Sequence, residues 1–600
     1  SQLSAIMDAL SLLPSISLAP PPFSATVTRF SLLNTSSVKT DEPKTSGRRH
    51  HNRPSPTVPI PVPPSVPAAT NATRTTPLEP AAAAAAAPAP SLQAAIFNAA
   101  ESFINNVIDP PLRPSVDPRH VLSGNYAPVD ELPPTECEIA EGSLPPCLDG
   151  AYIRNGPNPQ FLPNGPHHLF DGDGMLHCLR ISGGAATLCS RYVRTNKYAA
   201  ERAAAAPIVP NLFSGFSTVA SSAARGALFA ARVVTGQFNP LDGVGLANTS
   251  VARFAGRLFA LAESDAPYEI RIKPDGDIET VGRHDFDGKL VANMTAHPKI
   301  DGETGEVFAF RVGPVPPFLN YFRVRPDGKK EPDVPIFSML WPSFLHDFAI
   351  TETYAVFTDT QLGMNPDLGS VGGGRSMVGA DSRKVPRIGV IPRYAADESG
   401  MRWFEAPGFN PVHAVNAWDD GGGGESITVV APNVLSVEHT MERMELVHAS
   451  MEMVRVDLRT GRVWRRPLSA MNLDFAVINP AYVGKKNRYV YAAVGDPMPT
   501  VRGVVKLDLA AAPGECTVAM RMFGERCYGG EPFFVAREEG GEEDDGYVVA
   551  YVHDEGRGES SFLVMDARSP ELGIVAAVRL PRRVPCGFHG LFVPAAHLNA

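Results

Sequence analysis

Thr-Ala-His-Pro-Lys, at residues 295–299, is the first of four short phrases that are each built around one histidine. The other three are Phe-Leu-His-Asp-Phe (344–348), Pro-Val-His-Ala-Val (411–415) and Gly-Phe-His-Gly-Leu (587–591). Histidines that bind a metal from one helix lie about one turn apart, whereas tens of residues to well over a hundred separate these four. They need a fold that returns the chain repeatedly to one axis. A β-propeller does this, because each blade delivers a strand to a central channel.

Spacing alone does not single out these four among the 15 histidines of the chain, but longer phrases accompany them. These are Tyr-Ile-Arg-Asn-Gly-Pro-Asn-Pro (152–159), Phe-Asp-Gly-Asp-Gly-Met (170–175) and Tyr-Gly-Gly-Glu-Pro (528–532). From about residue 115 to the end, the chain resembles the carotenoid cleavage dioxygenases. The resemblance implies an all-β fold, a seven-bladed β-propeller with a helical cap over one face. It also implies one Fe(II) per chain, bound by His297, His346, His413 and His589.

The same resemblance implies three acids that hold the imidazoles in place. Matching phrases put Glu263 (Ala-Glu-Ser-Asp, 262–265), Asp474 (Asn-Leu-Asp-Phe, 472–475) and Glu531 (Gly-Gly-Glu-Pro, 529–532) in this role. A carboxylate that accepts one ring N–H fixes the tautomer and leaves the other nitrogen for the metal. Asp474 stands where the family usually has Glu, so we expect a backbone shift or a bridging water to keep the bond.

The reaction implied by the resemblance is oxidative cleavage of one C=C bond of a carotenoid by O2, which gives apocarotenoid aldehydes or ketones. Residues 212–246 and the Asn-Leu-Asp variation look more like the plastid branch that cuts at the 9,10 and/or 9′,10′ bond. A 9-cis-epoxycarotenoid dioxygenase of abscisic acid biosynthesis is an alternative. A non-catalytic carotenoid-binding propeller is another, and it predicts the loss of a histidine or an acid. A retinoid isomerase-like use of the same iron is a third.

A long apolar substrate needs an apolar tunnel to the iron. Aromatic residues that flank the histidines are candidates for its lining: Phe344, Phe348 and Phe588.

Composition excludes some function classes. The net charge of −10 argues against a nucleic-acid partner. Seven cysteines without a Cys-x-x-Cys pair indicate free thiols in a reducing compartment. No apolar run approaches the eighteen or so residues that a membrane-spanning helix needs.

The N-terminal end is predicted to carry targeting and linker segments. Residues 1–53 are rich in Ser, Thr and Pro and contain few acids, which is typical of a plastid transit peptide. We expect Met7 to start translation. Residues 54–90 are rich in Pro and then in Ala, which predicts an extended linker.

Two apolar segments are predicted to be helical. The first, within residues 91–112, is an amphipathic helix over Ser91 to Ile108 with Ser91 as its N-cap. The second is an insert near residues 210–236 within the propeller domain at residues 113–600. Both carry large apolar side chains, which predicts peripheral association with thylakoid or plastoglobule lipid. For the first helix, docking on the propeller wall is the alternative.

Two acidic stretches are predicted to be ordinary loops. Residues 170–175 lack the spaced acids and terminal Glu of a calcium loop and predict a tight turn. The run from Glu538 to Asp545 predicts a solvated hairpin loop.

Overall fold

The computed structural model describes residues 92–216, 218–364, 378–421, 424–512, 514 and 516–598. The transit peptide, the linker and the N-cap Ser91 lie outside the described residues and stay predictions. Within the described ranges, no helix has both the length and the apolar character needed to cross a bilayer.

Antiparallel strands form the bulk of the described chain. In chain order, the first three sheets comprise these strands: β1 (Leu132–Gly142), β2 (Gly150–Pro157), β3 (Gly174–Ser182) and β4 (Ala185–Tyr192); β5 (Ser250–Phe254), β6 (Arg257–Leu261), β7 (Tyr268–Ile272) and β8 (Ile278–Arg283); β9 (Lys299–Ile300), β10 (Val307–Val312), β11 (Leu319–Val324) and β12 (Val334–Ile336). The fourth comprises β13 (Ala349–Ile350), β14 (Tyr354–Asp359), β17 (Arg387–Pro392) and β18 (Arg402–Glu405), with a hairpin of β15 (Leu362–Met364) and β16 (Val378–Ala380).

Three further sheets follow. Their strands are β19 (Asn416–Asp420), β20 (Ser426–Val434), β21 (Ala449–Asp457) and β22 (Val463–Val477); β23 (Tyr489–Gly495), β24 (Val501–Asp508) and β25 (Thr517–Met522); β26 (Cys527–Gly529), β27 (Phe533–Ala536), β28 (Gly546–Asp554), β29 (Glu559–Asp566) and β30 (Ile574–Arg579). The long strand β22 belongs to two sheets, since its first part pairs with β21 and its end pairs with β23.

The last strand closes a ring. β31 (Gly590–Pro594) pairs with β2, and β1 pairs with both β4 and β30, so the first and seventh sheets are joined. The described strands thus form seven successive antiparallel groups, which are the seven propeller blades, and β26 links the last two because it pairs with both β24 and β28. The strands are rich in Val and Ile, whose branched side chains suit a packed sheet, and β20 is buried along its whole length. The predicted all-β, seven-bladed propeller is confirmed.

Helices are few. They are α1 (Leu92–Phe103), which continues as a π-helical turn over Ile104–Ile108, α2 (Pro118–Val121), α3 (Asn196–Ala204), α4 (Val219–Val234) and α5 (Ala595–Leu598). Single 3-10 turns occur at Pro114–Val116, Gly124–Tyr126, Pro146–Leu148, Pro240–Asp242, Glu398–Gly400, Val437–His439, Met444–Leu446 and Pro480–Tyr482. Among the described residues of the insert predicted at 210–236, α4 is the helical part, and the Thr218 side chain caps it by accepting from the Ser221 N–H.

Helix α1 and helix α4 pack together through buried charge. The Arg225 guanidinium donates to the Asn105 side-chain oxygen at 2.7 Å and pairs with Asp109. The guanidinium is buried, with a side-chain exposure of 4%, so these bonds fix the end of α1 against α4. One side of α1 therefore docks on helix α4, whereas docking on the propeller wall stays a prediction.

The acidic run at 538–545 lies in the hairpin between β27 and β28, as predicted, but two of its acids bind protein. Glu543 accepts the main-chain N–H groups of Arg488 and Tyr489, and Asp544 pairs with Lys506 at 2.7 Å. These bonds tie the loop to the sixth blade.

The turn at 170–175 is held by an ion pair to helix α3. Gly172 has φ +125°, a conformation that favours glycine. Asp173 accepts from the buried Lys197 ammonium at 3.1 Å, and Glu201 pairs with the same ammonium at 2.7 Å. Burial lowers the pKa of Lys197, but the two carboxylates outweigh it and raise that pKa above its ordinary value.

Replacing Lys197 by Met is expected to destabilise the fold strongly, because it leaves two carboxylates buried without a countercharge. Breaking a buried ion pair in this way costs about 3–5 kcal/mol. Thermal or denaturant unfolding measures the change. Lys329→Met is the control, since Lys329 is 65% exposed beside Asp327 and should be neutral. Equal stability of the two variants would contradict the prediction.

Candidate metal centre

The four histidines of the quoted phrases each precede the end strand of a blade. His297 comes two residues before β9, His346 three before β13, His413 three before β19, and His589 one before β31. Each of these strands pairs along one side with a single neighbour, namely β9 with β10, β13 with β14, β19 with β20 and β31 with β2. Because the four side chains meet, these strands face a common axis. The fold therefore converts four distant sequence positions into one site.

The four imidazoles offer nitrogens that all lie within 4.8 Å of one another. His297 Nε2 and His346 Nε2 are 2.9 Å apart, and the His297 and His589 ring centroids are 4.4 Å apart. Within the described residues, this is the group of His, Cys, Asp and Glu side chains with metal-binding geometry.

Three of the four imidazoles contact a carboxylate through Nδ1. His413 and His589 lie 2.8 Å from Asp474 Oδ1 and Glu531 Oε1. His346 Nδ1 lies 2.5 Å from Glu263 Oε1. The structure thus brings each sequence-predicted acid to one of the predicted histidines. The sequence analysis did not assign the acids to individual histidines, and the structure pairs them with His346, His413 and His589.

The shorter Asp474 reaches His413 directly. Its Oδ1 also accepts the Phe475 N–H at 2.8 Å, and Phe475 has φ +48°, in the left-handed region. The pairing of β22 with β23 shifts register just after Asp474. A local change of the backbone therefore accompanies the missing methylene, and a bridging water is not needed.

The acids change the proton affinity of the site. Burial raises the pKa of the Glu263 and Asp474 carboxyls, but the imidazoles of His346 and His413 outweigh it and hold both below their ordinary values. Burial lowers the pKa of His413, but the Asp474 carboxylate outweighs it and raises that pKa to about 8. Burial and the three neighbouring imidazoles lower the pKa of His297.

The donor set fits a transition metal. When Nδ1–H of His346 donates to Glu263, its Nε2 carries a lone pair that points at His297 Nε2 across 2.9 Å. Converging lone pairs repel unless a cation or a proton lies between them. Imidazole ligands suit Fe, Zn, Cu and Ni, so the residues fit iron, although the donors alone do not select it.

Aromatic rings surround the histidines. Phe344 stacks on His346 with centroids 6.1 Å apart, and Phe588 contacts Phe170 edge-on. Phe348 does not join them, because it stacks on Phe357 in the core between the third and fourth blades and is 1% exposed. The suggestion that Phe348 lines a tunnel is therefore wrong.

The sequence analysis missed residues that hold the ligands through the main chain. Asp347 follows His346 directly and accepts the N–H of Ala414, beside His413. Asn155, in the phrase 152–159, donates its N–H to the His589 carbonyl at 3.1 Å. An acid inside the apolar phrase Phe-Leu-His-Asp-Phe was a usable signal, since a buried carboxylate needs a partner.

Comparisons with known proteins identify the family. The model of the family described as RPE65, retinal pigment epithelial membrane protein, matches residues 126–594. Over 518 residues the chain is 65% identical to probable carotenoid cleavage dioxygenase 4, chloroplastic, of Arabidopsis thaliana, which covers 85% of this chain and 87% of the relative. The chain belongs to the carotenoid cleavage dioxygenase family.

Other members of this family are similar at different levels. A 9-cis-epoxycarotenoid dioxygenase, NCED1, chloroplastic, of Oryza sativa subsp. japonica is 63% identical, covering 85% of this chain and 82% of the relative. Carotenoid 9,10(9′,10′)-cleavage dioxygenase 1 of Arabidopsis thaliana is 40% identical, covering 80% and 91%. The solved structure of Pseudomonas brassicacearum lignostilbene dioxygenase matches with 26% identity and TM-score 0.67, over 79% of this chain and 98% of that one. The predicted family and enzyme class, a non-haem iron dioxygenase, are confirmed.

Changing any one of His297, His346, His413 and His589 to Ala is expected to lower the metal bound per folded chain, because each removes one of four converging donors. Metal analysis after loading with Fe(II) measures it. His120→Ala is the control, because His120 is exposed. If a folded variant still binds one metal ion per chain, the histidine that was replaced is not a ligand.

Glu531→Gln is expected to be milder than His413→Ala but still costly. Glu531 accepts from His589 Nδ1 and from the Gly590 N–H, each at 2.8 Å. An amide has one accepting oxygen, so one of these donors would face an NH2 group. Loss of such a partner costs about 10–100-fold in metal affinity or activity. Turnover of the variant at limiting iron tests this. The control is Glu138→Gln, because Glu138 is exposed. If Glu531→Gln turns over as fast as the wild type, the Glu531–His589 pair is dispensable.

Proposed function

We propose that this protein holds one Fe(II) per chain through His297, His346, His413 and His589 and oxidatively cleaves a C=C bond of a carotenoid. The observation that carries the proposal is the convergence of four imidazoles, three of them bound to carboxylates, in a chain of this family. When bound, Fe(II) supplies the chemistry that activates dioxygen. Each end of the cut bond leaves as a carbonyl, so the products are apocarotenoid aldehydes or ketones.

The protein residues prepare the site for this chemistry. Glu263, Asp474 and Glu531 fix the imidazole tautomers, so that Nε2 of each paired histidine faces the centre. The ring of Phe475 lies 5.4 Å from His413 and 5.5 Å from His589. Together with Phe344 it gives the centre an apolar border, which suits a polyene.

The bond that we propose is the 9,10 and/or 9′,10′ bond. A relative named for this cleavage shares 40% identity with the chain. The second candidate, cleavage of a 9-cis-epoxycarotenoid, is favoured by the 63% identity to a relative named for that activity. A non-catalytic carotenoid-binding role is disfavoured, because all four histidines are present and three of them pair with the three acids.

The place of action that we propose is the plastid. The two relatives with 65% and 63% identity are named chloroplastic, and the composition of residues 1–53 suits a transit peptide.

Incubation of the iron-loaded protein with β-carotene, and separately with a 9-cis-epoxycarotenoid, is expected to give carbonyl products whose masses locate the cut bond. The His413→Ala variant is the negative control, because it lacks one of the proposed iron ligands. If neither carotenoid is cleaved by the loaded protein, the proposed activity is wrong. Cleavage of the epoxycarotenoid alone would select the second candidate.

The second part of the proposal is peripheral attachment to thylakoid or plastoglobule lipid. Four large apolar residues of α1 and its π-turn are more than half exposed: Leu92, Ile96, Phe103 and Val107. Their spacings of four, seven and four residues put them on one face, opposite the docked side that carries Asn105 and Asp109. Burial of each such side chain contributes roughly 1.5–3 kcal/mol, so the stripe suits reversible binding to lipid.

Replacing Ile96 or Phe103 by Asp is expected to reduce co-sedimentation of residues 91–600 with neutral liposomes, because each puts a charge into the apolar stripe. Val281→Asp is the matched control, since Val281 is an exposed apolar residue that lies on β8 and not in the stripe. Phe213 does not serve as a test position, because it packs inward against Phe344.

Two outcomes would contradict the lipid face. One is a parent protein that stays in the supernatant, and the other is sedimentation of both stripe variants as strong as that of Val281→Asp.

A further inference from the structure

The Asp347 carboxylate joins three of the four histidine phrases. Asp347 directly follows His346, and its side chain is 4% exposed. Its Oδ1 lies 2.8 Å from the ammonium of Lys299, two residues after His297. Its Oδ2 accepts the main-chain N–H of Ala414, one residue after His413, at 2.8 Å.

These contacts cross blade boundaries. The three phrases lead into β9, β13 and β19, which belong to the third, fourth and fifth blades. Within its own phrase, Asp347 Oδ1 also accepts the Phe348 N–H at 2.7 Å, which holds the side chain in one orientation. One carboxylate therefore spans three separate sheets just behind their histidines.

We propose that Asp347 is a positioning residue that sets the mutual placement of His297, His346 and His413. This inference rests on the proposed metal site. Glu263, Asp474 and Glu531 each orient one imidazole ring. Asp347 contacts none of the four rings and acts on the main chain and the lysine beside the ligands.

The physical reason is the precision that a metal site demands. Supporting groups must hold ligands within about 0.5 Å of their productive positions. Hydrogen bonds to a charged acceptor are roughly twice as strong as neutral ones, and burial strengthens them further. Neighbouring blades that contact only through apolar side chains can slide slightly past one another. A buried carboxylate bonded to three blades opposes this sliding.

Co(II) binding followed by visible absorption tests the proposal, because affinity and ligand-field bands report how the histidines are placed. Asp347→Ala is expected to bind Co(II) about 10–100-fold more weakly, with altered bands. Asp347→Asn keeps an acceptor for the Ala414 N–H but loses the negative charge that faces Lys299. Its Co(II) affinity is therefore expected to fall by less, on the order of tenfold.

Asp359→Asn is the matched control. Asp359 is 2% exposed and pairs with Arg387 at 2.6 Å and with Lys384, at the end of β14 in the fourth blade. Its replacement is expected to lower the unfolding temperature while the Co(II) affinity and spectrum stay as in the wild type. The control thus shows what loss of a buried aspartate does to stability alone.

The outcomes separate the inference from the proposed function. No Co(II) binding by the wild-type protein would overturn the metal site and the inference with it. Wild-type affinity and bands in folded Asp347→Ala would overturn the inference alone, and Asp347→Asn decides by the same criterion if the alanine variant does not fold. Failure of both variants to fold would also overturn it, because Asp347 would then be required for folding itself.

Discussion

The pairing of β31 with β2 is the interaction on which the site depends, because it joins the last strand of the ring to the first blade. His589 immediately precedes β31. Asn155 bonds on both sides of this junction, since its carbonyl accepts the Phe588 N–H at 2.9 Å and its N–H donates to the His589 carbonyl. The Asn155 amide also donates to the carbonyls of Ala247 and Ser250, which lead into the second blade. The bonds that close the ring therefore also place His589.

The sequence predicted the centre well because its phrases are long and keep their order. The four histidines and the acids Glu263, Asp474 and Glu531 all lie where these phrases placed them. Asp347 was missed for a physical reason. It binds groups from two other blades, and those contacts follow from topology rather than from neighbours along the chain. The roles of Asn155 and of the left-handed Phe475 are of the same kind.

The pattern of apolar residues predicted the strands better than it predicted what each side chain contacts. Phe344 and Phe348 lie in one phrase, yet Phe344 borders the histidines and Phe348 packs between blades. Both environments are apolar, so composition does not separate them. The same limit applies to the insert, where Phe213 turns inward to Phe344 and Val234 stays 74% exposed. Polar contacts, such as the pair of Arg225 with Asp109, show which sides of α1 and α4 face protein.

The separation of donors from charges explains why the site uses both histidines and acids. Four neutral imidazoles bring lone pairs to the centre without bringing charge. The carboxylates stand behind Nδ1, where they offset the cost of burying a cation. The same effect favours a proton, because Asp474 raises the pKa of His413 to about 8. His297 differs, since burial and its three imidazole neighbours lower its pKa. A lowered pKa favours the neutral form of this ring, whose lone pair can face a cation. Buried carboxylates orient the other three rings.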